Sequence, residues 1–341
     1  MRRISEVELD DKGRVTSIAE VHTSGGARIV LLPVATFPGH LNNVILVDHP
    51  EHRLLFDVGT PTSHPALVAG LAEVGVALGD LDEVVLSHGH MDHYADAWAF
   101  RRAGVPIAIH ELDARILECF AERRAETERR LGSWLGRAGL SPERVASLVH
   151  TYSAAKPAFP DLRPDRRLRD GERVGPGWRV LHVPGHCPGM ICLAVDEVVL
   201  TADHLLSHTT PVQMPQAITA HTGLEHYLRS LDRLEASGPF ALALGAHDGP
   251  IPDPAGRIAE TRAHHDARLA ATHALCAESP RSVAEVSHAL FGTQRGYGVL
   301  LSLLEAGAHL EYLHQHAFLT VEADRYRARR AWESPWWSAR R

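Results

Sequence analysis

The chain is poor in cysteine, with four residues in 341: Cys119, Cys187, Cys192 and Cys276. Their spacing shows no repeat, which excludes the disulfide framework that holds many small secreted domains together. A reducing compartment is the expected environment for such a chain, and we predict a cytoplasmic location.

Long hydrophobic runs are also missing. No apolar stretch approaches the roughly 18 residues that a membrane-spanning helix needs. Near the N-terminus, Arg2 and Arg3 are followed by Glu6 and Glu8 rather than by the apolar segment of an export signal. We therefore expect no membrane partner.

An excess of positive charge is absent as well. The chain has 35 Lys and Arg against 42 Asp and Glu, a net charge of -7 at pH 7, and a pI of about 6.4. This balance disfavours electrostatic attraction to nucleic acid or to an anionic membrane. We predict a small-molecule substrate, disfavour nucleic acid as a partner, and leave a homodimer open.

Histidine, by contrast, is abundant, with 24 residues. Residues 88–93 have the sequence His-Gly-His-Met-Asp-His and follow the apolar run 84–86. Imidazole nitrogens and carboxylate oxygens are typical ligands of zinc and similar divalent ions. In an extended segment alternate side chains face the same way, so His88 and His90 can bind one ion while Asp92 and His93 bind a second.

Three further candidate ligands follow short apolar runs elsewhere in the chain: His186, Asp203 and His247. The alternative is that residues 88–93 are only a histidine-rich surface loop. A chance cluster of histidines would not be matched by distant ligands at the ends of other predicted strands, so we favour a metal site.

The seven residues together resemble the signature of the metallo-β-lactamase superfamily: H-x-H-x-D-H, a distant His, a bridging Asp and a last His. The segment Phe56-Asp57-Val58-Gly59 fits a further Asp-x-Gly motif of that family. The resemblance spans roughly residues 28 to 250 and implies an α/β fold, an αββα sandwich.

The resemblance also implies the division of the ligands. His88, His90 and His186 would hold one ion, Asp92, His93 and His247 the other, and Asp203 would bridge them. We expect two divalent ions per chain, zinc in the first instance, with iron or manganese as alternatives. Such ions make hydroxide available from bound water near neutral pH. Asp92 would orient it and later protonate the leaving group.

The alternation of strand and helix patterns, with 45% apolar residues, predicts a catalytic domain over residues 1–252. A helical insertion at about 111–150 interrupts it; we favour a lid over the metal edge, with a solvated surface excursion as the alternative. Residues 253–330 resemble the small winged-helix-like domain of the β-lactamase-like-protein-2 branch, and 331–341 form a tail.

The predicted function is hydrolysis of a small-molecule ester, thioester or lactone by the metal-bound hydroxide. The alternatives are a single-strand endoribonuclease, a non-catalytic ligand sensor and an iron-dependent oxidoreductase. His208 is a candidate catalytic residue because its loop follows Asp203, although a lone histidine is more often a surface or core residue.

Overall fold

The computed structural model describes residues 2–3, 6–156 and 159–334. These residues form two compact units, neither of them continuous in sequence. The first unit contains the described residues of 1–120, 159–211 and 230–258, and the second contains those of 121–158, 212–229 and 259–341.

An eight-stranded sheet forms one layer of the first unit. Its strands lie side by side in chain order: β1 (Arg2–Arg3), β2 (Ala19–His22), β3 (Arg28–Phe37), β4 (His40–His49), β5 (His52–Phe56), β6 (Glu83–Leu86), β7 (Ile107–His110) and β8 (Arg166–Leu168). Strands β2 to β5 are antiparallel neighbours, and β5 to β8 are parallel. The central parallel strands β6 and β7 are short and buried along their whole length, as expected for strands that are covered on both faces.

A five-stranded sheet forms the second layer of the same unit. Its strands are β9 (Arg173–Val174), β10 (Trp178–His182), β11 (Ile191–Val195), β12 (Val198–Ala202) and β13 (Leu242–Gly245), in the order β13-β12-β11-β10-β9. Backbone hydrogen bonds join the ends of the two sheets: Asn43 N–H donates to the Ala246 carbonyl over 2.6 Å, and Ile191 N–H to the Ser87 carbonyl over 3.0 Å.

The helices formed by the described residues are α1 (His64–Glu73), α2 (Met91–Tyr94), α3 (Ala97–Arg102), α4 (Glu111–Glu118), α5 (Phe120–Gly136), α6 (Pro142–Ala154), α7 (Leu224–Ser237), α8 (Pro254–Glu278), α9 (Val283–Phe291) and α10 (Tyr297–Gln315). Helices α1 and α3 bury apolar residues such as Leu67, Leu71 and Phe100 against the eight-stranded sheet. The first unit is an αββα sandwich, which confirms the predicted fold class. Among these helices none is both long enough and apolar enough to cross a membrane.

The second unit is mainly helical. It contains α6, α9, α10, most of α5 and α8, and a hairpin of β14 (Leu319–Glu322) and β15 (Arg325–Ala328). A capping box begins α9: Ser282 Oγ accepts the Glu285 N–H over 3.3 Å, and Glu285 accepts the Ser282 N–H over 2.7 Å. The C-terminal helical region is therefore present as predicted.

The predicted insertion is helical, but its helices are divided between the units. Helix α4 lies in the first unit, whereas α6 and most of α5 belong to the second. Trp134 of α5 packs beside Gly307 of α10, where an added Cβ would lie 2.3 Å from the indole ring. The proposed domain boundaries and the lid over the metal edge stay predictions. Trp336, Trp337, Arg340 and Arg341 of the predicted tail lie outside the described residues.

Candidate metal centre

The seven predicted ligands follow strand ends of the first unit. His88 and His90 come after β6, and Asp92 and His93 lie on the short helix α2 that follows. The other three come from the second sheet: His186 after β10, Asp203 directly after β12 and His247 after β13. The structure brings all seven into two neighbouring clusters.

The first cluster contains His88, His90, His186 and Asp203, whose ligand atoms all lie within 4.8 Å of one another. His90 Nδ1 is 3.1 Å from His88 Nε2 and 3.0 Å from His186 Nε2. Asp203 Oδ2 is 3.8 Å from His88 Nε2 and 3.5 Å from His186 Nε2. Three imidazole nitrogens and one carboxylate oxygen therefore surround one point.

The second cluster contains Asp92, His93 and His247. Asp92 Oδ2 is 3.5 Å from His93 Nε2 and 3.6 Å from His247 Nε2. The other oxygen of Asp203, Oδ1, is 3.5 Å from His93 Nε2 and 3.3 Å from His247 Nε2. Each carboxylate oxygen of Asp203 thus faces one cluster, which is the geometry of a bridging ligand.

These separations fit metal ligation. Two ligands that each lie about 2.1 Å from an ion at a tetrahedral angle are about 3.4 Å apart. His93 Nε2 and Asp203 Oδ1 are buried and have no hydrogen-bond partner among the described residues. Buried polar atoms are rarely left without a partner, and a cation between them would satisfy both. The donor set suits zinc and other divalent transition metals.

The ionisation of the clusters is coupled. Burial disfavours a charged His88 and, with the neighbouring His93 and His90, holds its pKa well below the ordinary value. Burial opposes charge on His247 too, but the Asp203 carboxylate prevails and raises the pKa of His247 to about 9. Against the same burial cost, Asp203 and Asp92 raise the pKa of His93 well above its usual range. Because a metal binds neutral imidazole, ligation would displace protons from His93 and His247.

Asp57, in the predicted Asp-x-Gly motif, serves both clusters. Its Oδ2 accepts hydrogen bonds from His93 Nδ1 and from Ser87 Oγ, each over 2.8 Å, and its Oδ1 accepts the Ser87 N–H over 2.7 Å. Ser87 Oγ lies 2.9 Å from His88 Nδ1. Because these contacts involve Nδ1 of each histidine, Nε2 of each ring faces its cluster. Histidines that ligate metals commonly use their other ring nitrogen for a hydrogen bond in this way.

Strand β4 supplies partners that the sequence did not reveal. Asn42 Nδ2 donates to Asp92 Oδ2 over 3.1 Å, and its own Oδ1 accepts from Thr36 Oγ1 over 2.6 Å. His247 Nδ1 donates to the Leu41 carbonyl over 3.0 Å. The sequence contained one indication of these partners: two asparagines, Asn42 and Asn43, stand at the start of an apolar strand, where a polar amide adds nothing to apolar packing.

His208, the other candidate catalytic residue, lies outside both clusters. It is exposed, its ring lies 2.7 Å from Ser207 Oγ, and an added Cβ at Gly13 would lie 3.0 Å from that ring. A catalytic role for His208 stays a prediction. Cys187, adjacent to His186 in the chain, is buried with its Sγ 3.5 Å from His90 Nε2.

A third group of potential ligands lies in the second unit: His265, Glu305 and His309. Glu305 Oε1 accepts from the Arg268 guanidinium over 2.7 Å, and Oε2 accepts the Gln213 N–H over 2.7 Å. His309 Nδ1 donates to the Glu305 carbonyl over 2.8 Å. Because Arg268 already balances the carboxylate, this group is a buried polar network and differs from the two clusters joined by Asp203.

Two clusters of histidine and aspartate joined by one carboxylate, at one edge of an αββα sandwich, define the class of the metallo-hydrolases. The family model of the metallo-beta-lactamase superfamily matches residues 38–247, and the chain belongs to that family. The superfamily resemblance drawn from the motifs is therefore confirmed.

Known relatives agree with this membership. The chain is 25% identical to "Probable metallo-hydrolase YqjP" of Bacillus subtilis (strain 168), over 78% of this chain and 86% of that one. It is 30% identical to a metallo-beta-lactamase family protein of Thermus thermophilus, whose crystal structure matches with a TM-score of 0.69 over 88% of this chain and 98% of that chain. A beta-lactamase domain protein of Burkholderia ambifaria, 24% identical, shares the fold with a TM-score of 0.72 over 94% and 96% of the two chains.

Proposed function

We propose that this protein hydrolyses a small-molecule ester, thioester or lactone with two divalent metal ions, zinc in the first instance. The observation that carries the proposal is the placement of Asp203, whose Oδ2 faces His88 and His186 while its Oδ1 faces His93 and His247. A carboxylate shared in this way suits a pair of ions and not a single one.

The ions would supply Lewis acidity and lower the pKa of a water molecule. The protein supplies the geometry. Five histidines, Asp92 and Asp203 would hold the ions, and Asp57 and Ser87 orient the rings of His93 and His88 so that their Nε2 atoms face the clusters. Both partners are buried, so their hydrogen bonds restrict the rotation of the two imidazole rings.

Asp92 is the residue best placed to handle the proton. Its Oδ2 faces His93 and His247 and is held by Asn42. Burial disfavours its charge, but the adjacent His93 prevails and lowers the pKa of Asp92 far below the ordinary value, so the resting group is a carboxylate. It orients the attacking water by accepting its hydrogen bond. As the water oxygen bonds to the acyl carbon, Asp92 takes up a proton from that water, and it donates this proton to the leaving oxygen or sulfur when the acyl C–O or C–S bond breaks.

The acidic balance of the chain, with a net charge of -7, supports a small substrate over a nucleic acid. The test begins with metal analysis of protein purified without chelator, followed by a panel of thioesters, esters and lactones with a single-stranded RNA control. We expect close to two ions per chain and acyl hydrolysis that is lost on chelation and restored by metal. RNA cleavage without acyl hydrolysis, or a metal-free chain that retains activity, would overturn the proposal.

A further inference from the structure

Asp113 is a fully buried carboxylate in the first turn of α4, and none of the sequence motifs includes it. Its Oδ2 accepts the backbone N–H of Gly89 over 2.8 Å, and its Oδ1 accepts the backbone N–H of Gly189 over 2.8 Å. One side chain therefore holds two loops that are far apart in sequence. Hydrogen bonds from N–H groups to a carboxylate are among the stronger ones in proteins.

Both loops carry histidines of the first cluster. Gly89 lies between His88 and His90, and Gly189 lies three residues after His186. The position of all three imidazoles relative to one another thus depends on how these loops are held together. The two hydrogen bonds of Asp113 act at that point, in addition to the bond from Ile191 N–H to the Ser87 carbonyl.

The two glycines allow α4 to approach this closely. A Cβ added at Gly189 would lie 2.7 Å from Asp113 Cγ and 2.8 Å from Asp113 N. A Cβ added at Gly89 would lie 2.2 Å from Ile116 Cδ1 of the same helix. A larger residue at Gly189 would push the start of α4 away from its loop, because it would meet helix backbone, whereas at Gly89 the Ile116 side chain would have to move.

A second contact holds the loop after His186 at Pro188, the residue before Gly189. His182 Nε2 donates to the Pro188 carbonyl over 2.8 Å. The ring of His182 stacks on His110, with centroids 4.0 Å apart and an interplanar angle of 13°. His110 precedes α4 and its Nδ1 accepts the Leu112 N–H over 3.3 Å. Burial, with the adjacent His182, lowers the pKa of His110 to about 3, so the stacked ring is neutral.

We infer that Asp113 is a positioning residue that fixes the two loops of the first cluster and so raises the affinity of that cluster for its ion. The inference rests on the two-ion centre of the proposed function. Loss of residues that orient metal ligands typically weakens metal binding about 10- to 100-fold. The expected effect is selective, because both hydrogen bonds go to loops whose neighbouring ligands are His88, His90 and His186.

The variant that tests this is Asp113→Asn. An amide has almost the same shape but offers one oxygen acceptor, and its NH2 group would face one of the two backbone N–H groups. One loop therefore loses its hydrogen bond to residue 113, while the side chain at that position keeps its volume. Metal-depleted protein is titrated with zinc against a competing chelator. We expect one of the two dissociation constants to rise about 10- to 100-fold and the other to stay within about 2-fold.

Asp165→Asn is the matched control. Asp165 Oδ2 accepts the Ile107 N–H over 2.9 Å at the start of β7, whereas Asp113 follows the end of that strand. The same chemical change there removes a carboxylate that holds backbone but no ligand loop. We expect both zinc affinities of Asp165→Asn to match those of the original chain, whatever its stability.

The weakened cluster is identified in a His247→Ala background, which disables the second cluster. Adding Asp113→Asn to His247→Ala should weaken the ion that remains by the same factor. If Asp113→Asn does not fold, Gly189→Ala takes its place, because the added Cβ displaces the carboxylate without changing its charge.

The outcomes separate this inference from the proposed function. If the original chain binds no zinc, the two-ion centre fails. If it binds two ions and a folded Asp113→Asn binds both with unchanged affinity, Asp113 is not a positioning residue. Equal weakening of both ions, or equal effects of Asp113→Asn and Asp165→Asn, would assign Asp113 a purely structural role and would also overturn the inference.

Discussion

Asp57 and His93 form a buried hydrogen bond of 2.8 Å in which Nδ1 of the histidine donates to Oδ2 of the carboxylate. The bond fixes the ring so that Nε2 faces Asp203 and Asp92. Asp57 adopts a positive φ of 66°, a conformation that Asp and Asn tolerate better than other side chains. Its substitution by asparagine can therefore change the hydrogen bonds without straining the backbone.

We expect Asp57→Asn to weaken metal binding about 10- to 100-fold, because His93 and Ser87 both lose a charged acceptor. Zinc titration against a chelator measures the effect. Asp196→Asn is a matched control, since Asp196 also has a positive φ, of 53°, and accepts from Thr23 Oγ1 over 2.5 Å. Equal metal affinities in the two variants would contradict the role of Asp57.

Asp203→Asn should reduce the metal content from two ions to one or fewer, since an amide cannot offer an anionic oxygen to each cluster. Hydrolysis should fall by at least about 100-fold, while the circular dichroism spectrum stays close to that of the original chain. Metal analysis and kinetics on the same preparation are the measurements. A variant that keeps two ions and full activity would show that the centre does not depend on a shared carboxylate.

The metal-free protein should lose stability as the pH rises from about 7 to about 9. The pKa of His247 is raised to about 9 in the folded state, against burial, by Asp203. A raised folded-state pKa stabilises the fold at pH values below the unfolded pKa of about 6.5, and this stabilisation disappears as the pH passes the folded pKa. The loss is of the order of 1–3 kcal/mol in urea unfolding.

Two comparisons check that pH effect. His247→Ala without metal should show a smaller loss between pH 7 and pH 9, because its imidazole no longer titrates. In the original chain, zinc affinity should rise over the same interval, since protons no longer compete for His93 and His247. A metal-free chain whose stability increases over this interval would contradict the coupling.

Asn42→Ala should lower kcat by about 10-fold or more and leave KM nearly unchanged, because Asp92 loses the donor that orients its Oδ2. Asn43→Ala is the comparison. Asn43 Nδ2 lies 3.0 Å from the carbonyls of Gly245 and Asp248, so its loss leaves buried acceptors and should cost about 1–3 kcal/mol of stability. If both variants change only stability, Asn42 has no part in positioning Asp92.

Ser282→Ala should destabilise the second unit by about 1 kcal/mol through loss of the cap of α9. Zinc stoichiometry should not change, because the seven candidate ligands all lie in the first unit. Thermal unfolding and metal analysis measure the two properties separately. A changed zinc content in Ser282→Ala would show that the metal centre depends on this cap.

The grouping of the seven candidate ligands could be predicted because each of them follows, directly or within a few residues, an apolar run that is typical of a strand. His88 after β6 and His247 after β13 are recognisable from the local sequence alone. The capping box of Ser282 and Glu285 was equally predictable, since it depends on two residues three positions apart.

The residues that hold the ligands were not predictable in the same way. Asn42 and Asp113 act through hydrogen bonds to Asp92, Gly89 and Gly189, and these pairings follow from the packing of β4 and α4 rather than from any local pattern. The division of the predicted insertion between two units has the same origin. Helical periodicity predicts that α4 and α5 form, but the surfaces that they bury depend on distant segments.

The candidate ligands come from both sheets of the sandwich, and this has a consequence for synthesis. Asp92 and His93 leave the ribosome early, whereas His186, Asp203 and His247 emerge only after most of the first unit has been made. Neither cluster can be complete before then, so the nascent chain offers no finished site while its first sheet is already able to form. We therefore expect metal binding to follow the formation of both sheets and not to nucleate their folding.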